Sequence, residues 1–369
     1  MIPVNRPILD GNEKKYLAEC IETGWISSEG PFVKKFEAAF AQLMGCAHGV
    51  AVCNGSVAIE VALAALRIGA GDEIILPSFT IISCASAIVR AGAVPVVVDC
   101  QPDTWNLDPN LLAAKITDRT KAIMAVHIYG LPVDMDPVIE LARRHGLFLI
   151  EDAAEQHGQT YKGRPVGSLG DIAIVSFYPN KQIATGEGGM VLTNDKALAD
   201  RCRDLRNLCF DKERRFIHEE LGWNFRMSNL QAAIGVAQLE CIEQILAKKR
   251  QVGRWYQQRL HGHPRLQLPI ERTAYAENIY WVFGVVLDDA LPFDAVEIMA
   301  RLKNRGVDSR HFFWPIHEQP VFRKRGLFAN DRCPNAERIA RRGFYLPSGV
   351  GLTEEEAETS ARALLEGII

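Results

Sequence analysis

The stretch DIAIVSFYPNKQIATGEGGMVLTN, residues 171–194, sets two apolar runs on either side of a loop that carries one lysine and the glycine-rich segment TGEGG. The runs 171–177 and 189–194 are short and rich in β-branched residues, which predicts buried strands. Lys181 therefore lies just past a strand end. In a cleft, desolvation would lower the pKa of its amine and make it nucleophilic. The alternative is a solvated surface charge, as for most lysines.

The chain on the N-terminal side of this stretch alternates short apolar runs with helical patterns. Near-continuous apolar strands separated by helices predict an α/β fold with a mostly parallel sheet covered on both faces. The helical patterns lie at 56–69 and 136–146, and each ends at a glycine. The further predicted strands are DEIILP (72–77), VPVVVD (94–99), KAIMAVH (121–127) and LFLIED (147–152).

The second half of the chain has a different pattern. One long helix is predicted over residues 229–252, and it would lead into a second domain. That domain has a predicted strand at 282–287, a helix at 293–306 and a last helix after 352–356. We therefore expect a large α/β domain over 15–250 and a smaller α+β domain over 251–369, with residues 1–14 packing near the domain or subunit boundary.

Composition narrows the possible functions. Of 369 residues, 48% are hydrophobic and 24% charged, as in ordinary globular proteins, so disordered and fibrous classes are excluded. A formal net charge of -3 argues against nucleic-acid binding. We expect no membrane span and no secretion signal, and therefore a cytoplasmic protein. Nine cysteines without C-x-x-C spacing favour free thiols, and we expect no metal.

Three features lie at predicted strand or helix ends, where a parallel α/β sheet binds its ligands. Asn54, Gly55 and Ser56 open a helix whose free N–H groups would favour an anion such as phosphate, although an ordinary serine N-cap is the alternative. Asp152 ends a strand and could hold a protonated heterocyclic nitrogen, or else a helix cap or salt bridge. With Lys181, these features match the phosphate anchor, ring-nitrogen partner and Schiff-base amine that pyridoxal phosphate needs.

The whole chain resembles the sugar-aminotransferase family of pyridoxal-phosphate enzymes, which have the aspartate-aminotransferase-like fold (fold type I). The resemblance runs nearly end to end, and several of the shared stretches are long and specific. They are WISSEGPFVKKFE (25–37), CNGSVAIEVAL (53–63), GDEIILPSFT (71–80), GAVPVVVD (92–99), TKAIMAVHIYG (120–130), IEDAAE (150–155), SFYPNKQIATGEGGM (176–190) and GWNFRMSNLQAAIG (222–235).

The resemblance implies a role for each matching residue. Lys181 would form the Schiff base with the cofactor and move protons, and Asp152 would bind the pyridinium nitrogen. The resemblance implies cofactor contacts from Asn54, Gly55, Ser56, Ile81, Asp152, Glu155, Ser176, Lys181 and Asn224, with Asn224 reaching across from the neighbouring subunit of a homodimer. It implies substrate contacts from Trp25, Glu187, Arg226, Phe313 and His317, with Arg310 as a weaker candidate.

Three positions test this resemblance. Glu155 stands where some relatives have glutamine or histidine, near the ring hydroxyl. Ile81 stands where most relatives have an aromatic residue over the cofactor ring, which would cost roughly 0.5–1.5 kcal/mol of aromatic pairing. A dehydratase branch of the family has histidine in place of the Schiff-base lysine. The presence of Lys181 therefore favours transamination.

The expected reaction transfers the amino group of L-glutamate to the C4 ketone of a nucleotide-linked 4-keto-6-deoxy sugar. The segments DGNEKKYLAEC, GWISSEG and RMSNLQAAIG resemble GDP-perosamine synthases in particular. This implies GDP-4-keto-6-deoxymannose as substrate, GDP-perosamine as product and a place in lipopolysaccharide O-antigen biosynthesis. UDP- or dTDP-linked sugars and attack at C3 remain open. A non-catalytic regulatory protein that binds pyridoxal phosphate is the alternative from another class.

Overall fold

The computed structural model describes residues 1–211 and 213–369 and contains two main sheets. The helices are α1 (Glu13–Thr23), α2 (Pro31–Leu43), α3 (Gly55–Ala65), α4 (Ile82–Arg90), α5 (Met135–His145), α6 (Lys196–Arg206), α7 (Asn229–Glu240), α8 (Ile242–Leu260), α9 (Ala295–Asn304), α10 (Pro320–Arg323), α11 (Pro334–Arg342) and α12 (Glu354–Gly367). Short 3₁₀ turns lie at Pro109–Leu111, Ala113–Lys115 and Ile316–Glu318.

The large sheet has seven strands in the order β1-β9-β8-β5-β4-β2-β3. Neighbouring strands from β8 to β3 are parallel, whereas β9 runs antiparallel to both β8 and β1. The expected α/β architecture with a mostly parallel sheet is confirmed. Its strands are β1 (His48–Val52), β2 (Glu73–Pro77), β3 (Val94–Val98), β4 (Thr120–Val126), β5 (Phe148–Asp152), β8 (Ile172–Ser176) and β9 (Gly189–Thr193).

Both faces of the large sheet are buried. In β4, Met124 points into a core shared with α3 and α4, whereas Ile123 and Ala125 point into the opposite core, shared with α2 and α7. Successive strand residues face opposite sides of a sheet, so a strand covered on both sides must be apolar throughout. This explains why the predicted strands showed continuous apolar runs without alternation.

The smaller sheet is antiparallel, in the order β10-β11-β13-β12, and forms with α9 and α12 a third core. Its strands are β10 (Leu266–Gln267), β11 (Phe283–Leu287), β12 (Arg310–His311) and β13 (Gly343–Leu346), and a separate hairpin is formed by β6 (Thr160–Tyr161) and β7 (Arg164–Pro165). The N-terminal segment contacts residues beside each of the two main sheets. Ile2 forms a β-bridge with Val307, and the side-chain amide of Asn5 donates to the Pro179 carbonyl over 2.8 Å. Every helix that the structure describes is too short or too polar to cross a membrane.

Two helix predictions were wrong in detail. The predicted single helix over 229–252 is two helices, because α7 ends at Glu240 and the next residue, Cys241, has a backbone (φ -107°, ψ 7°) that departs from helical geometry before α8 begins. The predicted helix over 56–69 ends earlier, at Ala65, and Arg67 takes a left-handed conformation (φ 57°) before Gly69 is reached. In both cases the apolar pattern continues through the break, so periodicity alone did not reveal it.

Candidate active site

A cleft of about 750 Å³ opens at the carboxyl ends of the central strands. It is lined by residues that follow three different strands: Asn54 and Gly55 after β1, Asp152 at the end of β5, and Ser176 at the end of β8. Lys181, from the loop after β8, lines the same cleft. The structure therefore brings together the three features that the sequence placed apart, as expected for ligand binding in a parallel α/β sheet.

The start of α3 forms one wall of the cleft. The Asn54 side chain accepts a hydrogen bond from the Val57 amide over 3.0 Å and so caps the helix. A Cβ on Gly55 would lie 2.7 Å from the Cβ of Ser176, so only glycine lets the two backbones approach this closely. Ser56 also lines the cleft, with its hydroxyl 2.8 Å from that of Ser83. The helix N-terminus and these hydroxyls form a cradle that suits a phosphate.

Asp152 is buried on the floor of the cleft. One carboxylate oxygen accepts the Ala154 amide over 3.1 Å, and the other accepts the thiol hydrogen of Cys84 over 3.2 Å. Burial raises the pKa of Asp152, while these hydrogen bonds and the Lys181 charge oppose that effect. Each oxygen keeps a lone pair for a further donor. A protonated ring nitrogen would supply both the donor and the positive charge that a buried carboxylate requires.

The loop after β8 delivers Lys181 into the cleft. The Lys181 amide donates to the Tyr178 carbonyl, the Thr185 amide donates to the Phe177 carbonyl, and both bonds measure 2.9 Å. A Cβ on Gly189 would lie 2.5 Å from the Asn54 carbonyl oxygen. The glycines after the lysine therefore let the returning chain pass directly against the start of α3.

The amine of Lys181 lies between a carboxylate and an aromatic ring. Its Nζ is 3.5 Å from Glu155 Oε1 and 3.8 Å from the centre of the Trp281 ring. Burial lowers the pKa of Lys181, whereas the Glu155 and Asp152 charges act to raise it. Burial likewise raises the pKa of Glu155 to about 7. The other Glu155 oxygen accepts the Tyr129 amide over 2.7 Å, which fixes the carboxylate.

Three further predicted residues line the cleft. Ile81 is 42% exposed and ends the loop before α4, so an aliphatic side chain occupies this wall. Phe313, two residues after β12 of the smaller sheet, lines the cleft and is half-buried. Glu187 lines the cleft and is exposed to solvent. The contacts of these residues with cofactor or substrate stay predictions.

Trp25, Asn224 and Arg226 do not line this cleft, and neither does the weaker candidate Arg310. Trp25 and Asn224 are exposed, and Asn224 takes part in a bridge with Asn207. Arg226 donates to the side-chain oxygen of Asn207 over 2.6 Å. Their predicted roles would require another chain or a substrate that extends beyond the cleft.

His317 is fully buried, and both of its ring nitrogens have partners. Nδ1 lies 2.7 Å from the Ser78 hydroxyl and Nε2 lies 3.2 Å from Glu337 Oε1. His317 is not among the residues that line the cleft. Its position therefore does not support direct contact with a sugar. Glu337 is held by Arg332, which lowers the pKa of that carboxyl to about 2.

Two residues of the site escaped the sequence analysis. Trp281 lies against Lys181 although it precedes β11 of the smaller sheet, and Cys84 reaches Asp152 from within α4. Neither follows a strand of the large sheet, so the strand-end rule could not find them. Their place in the site depends on long-range packing.

The residues present fit pyridoxal phosphate. The cradle at Gly55 and Ser176 suits its phosphate, the carboxylate of Asp152 suits its ring nitrogen, and the buried amine of Lys181 suits its aldehyde. The fit rests on two independent observations: the contact that excludes a side chain at Gly55, and the absence of any described ion-pair partner for Asp152. A ligand that carries a phosphate and a protonated ring would fit beside the first and would pair with Asp152 at the second.

Comparison with known proteins gives a consistent result. The sequence pattern of the DegT/DnrJ/EryC1/StrS aminotransferase family matches residues 7–364. A GDP-perosamine synthase of Caulobacter vibrioides is 45% identical over 366 residues, 98% of this chain and 97% of the relative. One of Vibrio cholerae is 39% identical over 358 residues, 97% and 96% of the two chains. The crystal structure of the aminotransferase TlmJ from Streptoalloteichus hindustanus matches with a TM-score of 0.93 at 30% identity, covering 100% of this chain and 98% of that one. The chain belongs to the DegT/DnrJ/EryC1/StrS aminotransferase family.

Proposed function

We propose that this protein is a pyridoxal-phosphate-dependent aminotransferase that converts GDP-4-keto-6-deoxymannose to GDP-perosamine. L-Glutamate would give up its amino group and leave as 2-oxoglutarate, and the C4 ketone of the sugar would become the amine. The observation that carries the proposal is the single cleft in which Lys181 faces Glu155 beside Asp152 and the Gly55 cradle. The sugar assignment is supported by the GDP-perosamine synthases at 45% and 39% identity over nearly the whole chain.

The residues of the cleft divide the binding of the cofactor among them. Gly55 leaves room for the phosphate at the N-terminus of α3, where backbone N–H groups and the helix dipole favour an anion. Asp152 would accept the ring N–H and keep the ring nitrogen protonated, because without that proton the charge of this buried carboxylate would be unpaired. Pyridoxal phosphate, when bound, supplies an aldehyde for the amino group and a ring that withdraws electrons.

Lys181 and Glu155 are suited to hold and move a proton. Desolvation favours the uncharged form of both groups. It lowers the pKa of the lysine and raises that of the glutamate to about 7. A group with a pKa near the working pH can both accept and release a proton. With their atoms 3.5 Å apart, the proton can rest on Lys181 Nζ or on Glu155 Oε1. An exposed lysine would be almost fully protonated near pH 7 and would react with an aldehyde much more slowly.

The proposal includes a homodimer with shared active sites. Asn224 is exposed and does not line the cleft of its own chain, which leaves it available to a neighbouring subunit. The exposed apolar side chains of Phe216 (81%) and Leu221 (90%) lie in the same part of the chain and would be covered by that subunit. We also propose that the enzyme works in the cytoplasm, where free cysteines such as Cys20 and Cys84 stay reduced.

A single-turnover absorbance experiment tests the function. The purified protein with pyridoxal phosphate is first converted by L-glutamate to its amine-loaded form, and is then mixed separately with GDP-, UDP- and dTDP-linked 4-keto-6-deoxy sugars. We expect the GDP sugar alone to restore the starting spectrum quickly. Restoration by the UDP or dTDP sugar would reassign the substrate and leave the aminotransferase intact. No response to glutamate would favour the non-catalytic regulatory alternative.

A further inference from the structure

Lys249, in the middle of α8, is a buried lysine that the proposed reaction does not use. Its side chain is fully enclosed, and the residue is 3% exposed. No carboxylate among the described residues lies within ion-pair distance of it. Burial lowers the pKa of this amine to about 7. Burying an amine without a carboxylate partner costs free energy that an aliphatic side chain of the same size would not cost. The presence of the amine at this position therefore calls for a specific explanation.

The amine of Lys249 holds two backbone carbonyls of the smaller sheet. It donates to the Trp281 carbonyl over 2.7 Å and also to the Ser348 carbonyl. In the register of β11 with β13, where Phe283 pairs with Leu346, these two residues lie opposite each other just beyond the ladder. Their carbonyls are thus at the end of the sheet that faces the cleft, and Lys249 joins them to α8.

The backbone just before Trp281 is tightly constrained. Tyr280 has a left-handed conformation (φ 51°), which is uncommon for a residue with a large side chain. A Cβ on Gly253 of α8 would lie 2.2 Å from the Tyr280 ring, so the helix packs directly on this residue. The Tyr280 amide donates to the Asn278 side chain over 2.7 Å. Such a conformation persists only where its surroundings determine it.

The side chain of Trp281 carries this constraint into the active site. Its indole N–H donates to the Asn180 carbonyl over 2.7 Å, directly before Lys181 in the chain. The ring lies 3.8 Å from Lys181 Nζ. A continuous set of contacts therefore runs from Lys249 through the Trp281 backbone and indole to the reactive amine.

We propose that Lys249 is a positioning residue that holds Trp281 against Lys181 and thereby sets the charge state of the reactive amine. The proposal deepens the proposed function and rests on Lys181 being the reactive amine. An aromatic face stabilises the ammonium form of a lysine, by about 0.5–1 kcal/mol at exposed sites and more where water is excluded. The groups that also act on Lys181 are Glu155, Asp152, Cys84 and His157, and none of them contacts Lys249.

The test measures Lys181 itself, without cofactor or sugar. Cofactor-free protein is treated with formaldehyde and cyanoborohydride over a range of pH, and methylation of Lys181 is followed by peptide mass spectrometry. If the amine loses the indole face, its reactive neutral form appears at lower pH. We expect K249M and W281L each to raise the Lys181 labelling rate at pH 7 by about two- to fivefold, the factor that corresponds to the cation–π stabilisation.

The variants include a matched control and a double substitution. Lys248 precedes Lys249 on α8, but its Nζ lies over Trp255, 4.3 Å from that ring centre, so K248M should leave the Lys181 profile unchanged. Because Lys249 acts through Trp281, the double variant K249M/W281L should match W281L alone. If K249M does not fold, K249L takes its place, since leucine likewise has no donor for the two carbonyls.

Three results would overturn the proposal. One is a wild-type Lys181 profile in folded K249M or K249L, and another is an effect of K248M as large as that of K249M. The third is an additive shift in the double variant, which would mean that the two residues act independently. Because formaldehyde labelling needs neither cofactor nor glutamate, failure of the proposed aminotransferase activity would leave this result unaffected and would be seen separately in the single-turnover experiment.

Discussion

Glu155 and Lys181 form the central pair of the cleft at the residue scale. Two buried charged groups 3.5 Å apart stabilise each other's charged forms, while burial favours the neutral forms. The pKa of Glu155 moves up to about 7 and that of Lys181 moves down from its ordinary value. The balance between the two effects decides at which pH the amine is free to react. Glu155 therefore acts on Lys181 directly, in addition to the cofactor contact proposed for it.

We predict that Glu155→Gln lowers the pKa of Lys181. The substitution keeps the shape of the side chain and its oxygen acceptor for the Tyr129 amide. It removes the negative charge that favours the ammonium form of Lys181. With that charge gone, desolvation dominates and the amine is neutral at lower pH. The pH profile of Lys181 labelling by formaldehyde in the cofactor-free protein checks this, and its midpoint should move to lower pH.

The matched control for this prediction is Glu60→Gln. Glu60 lines the outer part of the same cleft, but its carboxylate is paired with Arg90 over 2.7 Å. Its removal should leave the Lys181 profile in place. A midpoint that stays fixed in Glu155→Gln, or that moves equally in both variants, would contradict a direct effect of Glu155.

We predict that Gly55→Ala weakens binding of pyridoxal phosphate by roughly tenfold or more. The new methyl group would lie 2.7 Å from the Ser176 Cβ, and relieving such overpacking costs about 1–3 kcal/mol of backbone shift. The dissociation constant, from quenching of protein fluorescence, is the measurement. In Gly55→Ala/Ser176→Gly the opposing Cβ is absent, so the double variant should bind as well as Ser176→Gly alone. A double variant that binds as poorly as Gly55→Ala would show that the steric argument is wrong.

At the scale of elements, α3 has two functions that meet at its first turn. Asn54 caps the helix by accepting the Val57 amide, and the first helical residues, Gly55 and Ser56, line the cleft. A cap that is polar but uncharged satisfies one donor without competing with an anionic ligand for the helix dipole. The element thus supplies a rigid wall of the cleft and, in the proposed function, the site for the phosphate.

Substitutions at Asn54 should separate these two functions. We expect Asn54→Ala to lower the free energy of unfolding of the cofactor-free protein by about 1 kcal/mol, the usual cost of losing a cap. Asn54→Asp keeps an acceptor for the Val57 amide, so stability should be retained, but its charge should weaken cofactor binding by about fivefold. Urea unfolding and the cofactor dissociation constant are the two measurements. Unchanged affinity in Asn54→Asp would place the phosphate elsewhere.

Strands were easier to predict from the sequence than helices. Strands such as 72–77 and 147–152 are buried on both faces, and this leaves a local apolar run bounded by turn residues. The break at Cys241 leaves no such signal, because α7 and α8 each bury one face and the apolar residues of these faces continue through the join. Where tertiary packing decides a helix end, periodicity cannot locate it.

The residues of the candidate site also divide into those that a local sequence pattern reveals and those that only tertiary packing places. Lys181, Asp152 and Gly55 could be found because each follows a strand of the large sheet, and the fold brings such positions together. Trp281 enters from before the smaller sheet and is placed by Lys249, so only the three-dimensional packing reveals it.

At the scale of the whole molecule, the proposed shared active site makes assembly a condition of catalysis. Asn224 is exposed beside Asn207, away from the cleft of its own chain, and in the proposed dimer it reaches the partner's phosphate. We predict that Lys181→Ala and Asn224→Asp homodimers are each nearly inactive, the first for lack of the amine and the second because a carboxylate repels the phosphate. Activity should return when the two chains are assembled together.

The recovered activity follows from the geometry of a two-fold dimer. In a mixed dimer, one site combines Lys181→Ala with the Asn224→Asp of the partner and is dead, whereas the other site has a native lysine and a native asparagine. Random assembly makes about half of the dimers mixed, so total activity should recover to about a quarter of the wild-type value. If Asn224 instead served its own chain, every site in the mixed dimer would carry one defect and no activity would return. Sedimentation of the wild type and both variants must show the same dimer, so that recovery reports on shared sites and not on rescued assembly.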